Sequence, residues 1–230
     1  MSKTNSHSEY KGTRKRTYVL LIKTALDLFE KGAMPSVSEL ALEAGVSRAT
    51  AYRYFPTQAD LITATVNESL GPILTWRPQS EQTEERIDEL LTYAFPRMFE
   101  HEGVLRAALQ VSLQQWAQGR AAPQSIKDKR LERGNRKEIL AMVTSPMKSE
   151  YPQEIIDKVI RAFSVIYGSE IFLVLKDIWK MDDAQVTQLA QWMSKAVMNQ
   201  AHADNIKRKN KFITVPCQSK LKRFFQTKLK

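Results

Sequence analysis

The sequence predicts an all-α protein, and three observations carry that prediction. Apolar residues recur at helical spacing over most of the chain, as Ile22, Leu26 and Phe29 do near its start. Runs alternating β-branched and polar residues are almost absent, which argues against a sheet. The 8 Gly and 9 Pro in 230 residues fall mostly between the periodic stretches and leave room for long helices. A chain of this length, 43% hydrophobic, folds as one domain with a good core or as a small domain joined to a larger one.

Taken in order, residues 1–13 are polar and are expected to form a flexible N-terminus. A helix is predicted from Arg14 to Lys31, with Val19 and Ala25 on the same side as Ile22, Leu26 and Phe29, and Gly32 just past its end. Ser36-x-x-Glu39 reads as a capping box opening a second helix, whose inner face is Val37, Leu40, Ala41 and Ala44. Gly45 ends that helix, because glycine takes the left-handed conformation without strain. Val46 points back to the core, and Ser47 caps a third helix from Arg48 to Phe55, closed by Pro56. Thr57-x-x-Asp60 starts a fourth, through Leu61, Ile62, Thr65, Val66 and Leu70, which Gly71-Pro72 should bend or break. Residues 76–82 read as a linker. Longer amphipathic helices are expected over about 83–101, 103–118, 124–144, 153–180 and 183–204, with Pro96 as a possible kink and Pro123, Pro146 and Pro152 marking loops.

Charge is unevenly placed. The net charge is +10, but nine Lys or Arg and no acid fall in residues 205–230, leaving 26 basic and 25 acidic side chains in 1–204. A neutral body with a basic C-terminal tail, and a smaller basic run at Arg14-Lys15-Arg16, suits contact with a polyanion. Within the tail, Leu221, Phe224, Phe225 and Leu229 can form one short basic amphipathic helix.

The stretch AGVSRATAYRYF, Ala44 to Phe55, is the centre of the functional reading. Two short helices joined through Ala44-Gly45-Val46-Ser47 make a helix-turn-helix, whose second helix fits the major groove of DNA. Ala51 and Phe55 face inward. Arg48, Ala49, Thr50, Tyr52, Arg53 and Tyr54 cover the other sides. Arginine pairs bidentately with guanine or binds phosphate, small Ala49 allows close approach or a methyl contact to thymine, and the hydroxyls of Thr50 and the tyrosines can donate to phosphate oxygens.

Residues Ser36 to Leu61, SVSELALEAGVSRATAYRYFPTQADL, closely resemble the DNA-binding module of the TetR (tetracycline-repressor-like) family of bacterial transcription regulators. Its pattern is V-x-x-[IL]-A-x-x-A-G-V-S-x-x-[ST]-[LIV]-Y-x-[HY]-F-x-[ST]-[KR]-x-x-L after a helix that ends in a phenylalanine and a glycine. Leu28-Phe29 and Gly32 match the first part; Val37, Leu40, Ala41, Ala44, Gly45, Val46, Ser47, Thr50, Tyr52, Tyr54, Phe55, Thr57 and Leu61 match the rest. The resemblance covers residues 14–62. It implies a DNA interface built from Arg14, Lys15, Arg16, Ser36, Ser47, Arg48, Ala49, Thr50, Tyr52, Arg53, Tyr54 and Gln58. Three positions depart from the pattern. Ala51 replaces a larger aliphatic residue, Ser38 stands where some members have a longer base-reading side chain, and Gln58 sits where a phosphate-binding lysine is common. Losing that lysine weakens backbone attraction, and Arg14-Lys15-Arg16 can compensate as an arm.

The resemblance further implies that residues 63–204 form a larger helical domain for dimerisation and effector binding. Between Ile155 and Trp179 apolar residues cover nearly the whole circumference of the expected helix, and a helix apolar all round is buried on all sides. Cover from a second copy is expected through Ile171, Val174, Leu175 and Ile178, with Leu189, Met193 and Val197 of the last helix; the alternative is that these residues fill the core of one chain. Two copies would present two reading helices to a pseudo-palindromic operator. The candidates for an effector pocket are Tyr93, Phe95, Met98, Phe99, Trp116, Phe163 and Tyr167, the alternative for each being plain core, with Glu170 attracting a cationic ligand or pairing with Arg or Lys across the dimer.

Other classes fit poorly. There is no glycine-rich phosphate loop, nucleophile elbow or metal-ligand spacing; His7, His101 and His202 are far apart, and the single Cys217 has no partner, so neither an enzyme nor a cofactor is expected. The polar N-terminus lacks the apolar core of a signal peptide and the richest apolar run is too short to span a bilayer, so a cytoplasmic, nucleoid-associated protein is expected. The leading expectation is a sequence-specific dimeric repressor released from its operator by a small-molecule effector. The alternative is a charge-driven DNA-binding protein with little sequence choice, whose tail contacts nucleic acid or, through Lys220 to Phe225, a membrane surface.

Overall fold

A computed structural model describes residues 12–121 and 135–213. The polar stretch 1–11, the segment around Pro123, and the distal tail with Cys217 and Lys220 to Phe225 lie outside the described residues. The elements are α1 (Thr13–Glu30), α2 (Val37–Glu43), α3 (Arg48–Tyr54), α4 (Gln58–Thr75), α5 (Thr83–Glu100), α6 (Glu102–Ala121), α7 (Asn135–Val143), a 3₁₀ turn (Ser145–Ser149), α8 (Gln153–Ile166), α9 (Glu170–Phe172) running into a π-helical turn (Leu173–Ile178), and α10 (Asp183–Ile213). Among the described residues there is no strand. The fold is all-α, with an N-terminal helix-turn-helix domain and a helical C-terminal domain.

Two apolar clusters organise it. The N-terminal core joins Leu21, Ile22, Ala25 and Phe29 of α1, Val37, Leu40 and Ala41 of α2, Ala51 and Phe55 around α3, and Leu61 and Ile62 of α4. Val104, Ala107, Ala108 and Val111 of α6 complete it from far along the chain. The C-terminal core gathers Ile73 of α4, most of the inner face of α5, and buried residues of α7, α8, α9 and α10. α4 therefore serves both cores, and the boundary expected between residues 62 and 63 falls inside it.

α6 meets α1 backbone against backbone. At Gly103 a Cβ would lie 2.3 Å from the Phe29 carbonyl oxygen and 2.8 Å from the Glu30 Cα, so only glycine fits there without displacement. The Gly103 N–H donates to Glu30 Oε2 at 3.1 Å, tying the start of one helix to the end of the other.

Three expectations about helix limits need correction. Gly71-Pro72 does not break α4, which runs on to Thr75. Pro72 takes a backbone donor from the ladder, and Arg97 Nε of α5 donates to the neighbouring Ser69 carbonyl at 2.6 Å. The helix expected over 153–180 is broken: α8 stops at Ile166, and Tyr167 turns out of helical geometry with ψ of 87°. The cause is local. Arg136 Nη2 and Glu170 Oε2 stand 2.3 and 2.4 Å from where a Gly168 Cβ would be, so their ion pair crosses the backbone at the one residue without a side chain. The last helix does not end near 204 but continues through the first residues of the basic tail to Ile213.

Lys180 has a φ of 55° and closes the π-helical turn in the left-handed region, the only non-glycine residue to do so among those described.

Candidate nucleic-acid interface

The helix-turn-helix is held by side chains that satisfy its free backbone groups. Ser36 Oγ accepts from Glu39 N–H at 3.2 Å, and Glu39 Oε2 accepts from Ser36 N–H at 2.7 Å, which completes the capping box. The backbone hydrogen bond from Ser36, followed by its side-chain hydrogen bond, holds the Glu39 carboxyl below its ordinary value. Gly45 makes the turn at φ 66°. Ser47 Oγ then accepts from Thr50 N–H at 3.2 Å and caps α3. A hydrogen bond of 2.8 Å joins the Ser47 and Thr50 hydroxyls, and Arg53 Nη2 donates to Thr50 Oγ1 at 3.5 Å.

α3 buries only Ala51, with Phe55 behind it. Arg48, Ala49, Tyr52 and Arg53 are exposed on its outer side. Tyr52 is 45% exposed although aromatic, and its hydroxyl lies 3.3 Å from Ser38 Oγ. Ser38, which the sequence pattern left without a role, therefore fixes where Tyr52 points. This short contact between the two helices has no signature in the spacing.

Tyr54 faces the other way. Its hydroxyl donates to the Arg14 carbonyl at 3.0 Å, and its ring joins Tyr18 and Phe55, with centroids 6.2 and 6.3 Å away. The trio closes the core in which small Ala51 sits. Gln58 Nε2 donates to the Met34 and Pro35 carbonyls at 3.2 and 2.9 Å, so it braces the loop before α2. Arg14, Lys15 and Arg16 are not a loose arm: they form the exposed first turn of α1, beside the Tyr54 contact. Three cations at a helix N-terminus oppose the helix dipole, a cost that a bound phosphate would remove. The twelve expected residues thus divide. Arg48, Ala49, Thr50, Tyr52 and Arg53 lie on or beside the open face, Arg14, Lys15 and Arg16 flank it, and Ser36, Ser47, Tyr54 and Gln58 hold the frame.

In the C-terminal domain Phe95, Met98, Phe163 and Tyr167 are buried together, and Phe99 is half-buried against them. Burial pushes the Tyr167 hydroxyl up to about 12. Trp116 does not join this group. It is 65% exposed near the end of α6, with Arg120 Cζ 5.4 Å from its ring centre. Glu170 pairs within its own chain, with Arg136 Nη2 at 2.7 Å. Of the residues expected at a dimer face, Ile171 and Leu175 lie in the core of the single chain, and Leu189, Met193 and Val197 pack against that core; Val174 and Ile178 are exposed. The break at Gly168 redirects this segment, so the periodicity that suggested an all-round apolar helix does not describe one.

Among the described residues, no helix is long and apolar enough to cross a membrane.

A capped helix-turn-helix with an open arginine and tyrosine face, backed by a second helical core, defines a DNA-binding protein of the helix-turn-helix class. Residues 21–65, from α1 into α4, match the family model of the bacterial regulatory proteins, tetR family. No curated protein sequence matches it. The fold is similar to that of a tetR-family transcriptional regulator from Streptomyces coelicolor, with a TM-score of 0.61, 20% identity and 84% of each chain covered. It is also similar to that of a TetR transcriptional regulator from Rhodococcus sp. RHA1, with a TM-score of 0.51, 17% identity, and 81% of this chain and 97% of that one covered.

Proposed function

We propose that the chain is a dimeric repressor that binds a pseudo-palindromic operator through α3 and is released by a small-molecule effector held in the C-terminal domain. The observation that carries the DNA-reading part is the open face of α3. Arg48 and Ala49 occupy its first turn, where a helix in the major groove brings backbone and short side chains nearest the base edges. Thr50, Tyr52 and Arg53 then fix register on the phosphates, with Arg14, Lys15 and Arg16 adding phosphate contacts at the flank.

Dimerisation through α8 and α10 is supported by two large apolar side chains on these packed helices that the described residues leave open: Val165 is 73% exposed and Trp192 is 67% exposed. A functional boundary near residue 62 separates DNA reading from these roles, with α4 passing between them.

Selection of bound sequences from a random duplex library, with the complexes weighed by light scattering, tests this reading. The expected result is an inverted repeat bound by dimers, with selectivity lost on Arg48→Ala and affinity weakened across sequences on Tyr52→Ala. Recovery of no consensus, with binding abolished by removal of residues 205–230, would establish charge-driven binding and overturn the repressor reading.

A further inference from the structure

Lys176, in the π-helical turn, has an ammonium group enclosed as a bound ligand would be. Its Nζ lies 5.0 Å from the centre of the Phe99 ring and 5.8 Å from that of Phe172, inside the range of a cation–π contact. The same nitrogen donates to Glu102 and sits 2.7 Å from Asp183 Oδ1. Phe95 presents an edge to both rings, at centroid distances of 5.6 and 6.5 Å, and holds them in place. Burial works against the ammonium, but the hydrogen bonds to Asp183 and Glu102 outweigh it and keep the group charged.

The surroundings are built for one more cation than they would hold without Lys176. Arg106 grips Asp177 with two hydrogen bonds of 2.6 and 2.7 Å and also donates to Glu102. Three carboxylates, Glu102, Asp177 and Asp183, therefore face Arg106 and Lys176, with Lys180 a further cation acting on Asp177. Removing Lys176 takes the cation from Glu102 and Asp183 beside two aromatic rings and leaves Asp183 with no other ion pair among those described. Asp183 is 56% exposed at its side chain, so one wall of the enclosure meets solvent. The lysine is carried on a π-helical turn, where the backbone bond from Trp179 N to Val174 O spans five residues, a device frequent at functional sites.

We propose that Phe99, Phe172, Glu102 and Asp183 form an ammonium-binding site kept filled by the protein's own Lys176, and that the effector is a primary alkylammonium compound that displaces it. This rests on the effector-controlled reading above. A tethered ammonium competes at a high effective concentration, so the effector must carry contacts beyond its ammonium group. Its arrival at Glu102 acts next to Gly103, where α6 abuts α1 of the DNA-binding domain.

The test uses n-butylammonium chloride, which reproduces the end of a lysine side chain, with n-butanol as the neutral control at matched ionic strength. Calorimetric titration should show saturable binding to Lys176→Ala at least about tenfold tighter than to the wild type, because the competing tethered group is gone. Binding should weaken again in Lys176→Ala/Phe99→Leu. Lys176→Ser also clears the stem from the rings and serves if Lys176→Ala does not fold. Equal binding by wild type and both lysine variants, or equal binding of n-butanol, overturns the site. Saturable binding to Lys176→Ala that leaves operator affinity unchanged overturns the effector role alone. Absence of a selected operator for the wild type is instead the failure of the repressor reading, scored in a separate assay.

Discussion

Replacing Gly103 with alanine is a sharp test of how the two domains are joined. The added methyl would stand 2.3 Å from the Phe29 carbonyl oxygen, 2.6 Å from its carbon and 2.8 Å from the Glu30 Cα. All three are backbone atoms, so no side chain can rotate away. An ordinary carbon–oxygen contact needs roughly 3.4 Å, so α1 and α6 must separate by about 1 Å. That separation is felt by Phe29, Val104, Ala107 and Val111, which are buried at the same seam. Overpacking of this kind costs about 1–3 kcal/mol, against at most about 1 kcal/mol recovered from alanine's better helix propensity. The net loss should lower the melting temperature by a few degrees, at about 2–4 °C per kcal/mol for a chain of this size. Thermal unfolding followed by circular dichroism reads it directly. A Gly103→Ala protein as stable as the wild type, or more stable, would refute the account of the seam.

The remaining predictions are smaller and independent. Gln58→Lys restores the cation common in the family but removes the donors to the Met34 and Pro35 carbonyls; denaturant unfolding should show a loss of about 1–2 kcal/mol, while DNA binding gains about one unit in the slope of log affinity against log salt. Lys180→Gly relieves the left-handed backbone at φ 55° and should raise stability by about 1 kcal/mol in the same unfolding assay. Ser36→Ala should cost about 1 kcal/mol through loss of the cap. The Glu39 carboxyl is held low in the folded chain, so its contribution is present at neutral pH and lost as pH falls through that lowered value. The difference between wild type and Ser36→Ala should therefore shrink on acidification below the ordinary carboxylate range, as read by unfolding at stepped pH.

The N-terminal domain was legible because its signals are local. A capping serine, a glycine at positive φ and a proline stop each act within four residues, so Ser36, Gly45, Ser47 and Pro56 could be placed from the sequence alone. What the sequence hid was set by residues far apart. Tyr54 and Gln58 look like contact residues in the pattern, but partners 40 and 24 positions away turn them inward. Gly168 lies inside a strongly periodic apolar run, and only Arg136, from another helix, explains why the helix stops there. Lys176 and Glu102 carry no functional signal in the sequence because single charges on amphipathic helices are ordinary; their meeting with Phe99 and Phe172 is a property of the packed chain.

α1 has its two ends in different company. Its last turn touches Gly103, and its first turn carries Arg14, Lys15 and Arg16 beside the α3 frame. Eighteen residues at helical rise make a rod about 27 Å long. Hinged at the glycine seam, a tilt of about five degrees swings the cationic end through about 2 Å, enough to move a guanidinium or ammonium out of hydrogen-bond reach of a phosphate oxygen. With the proposed phosphate contacts at its first turn, the first helix is a pointer as well as a wall of the core. A displacement too small to disturb the packing at its pivot is magnified where the charge sits.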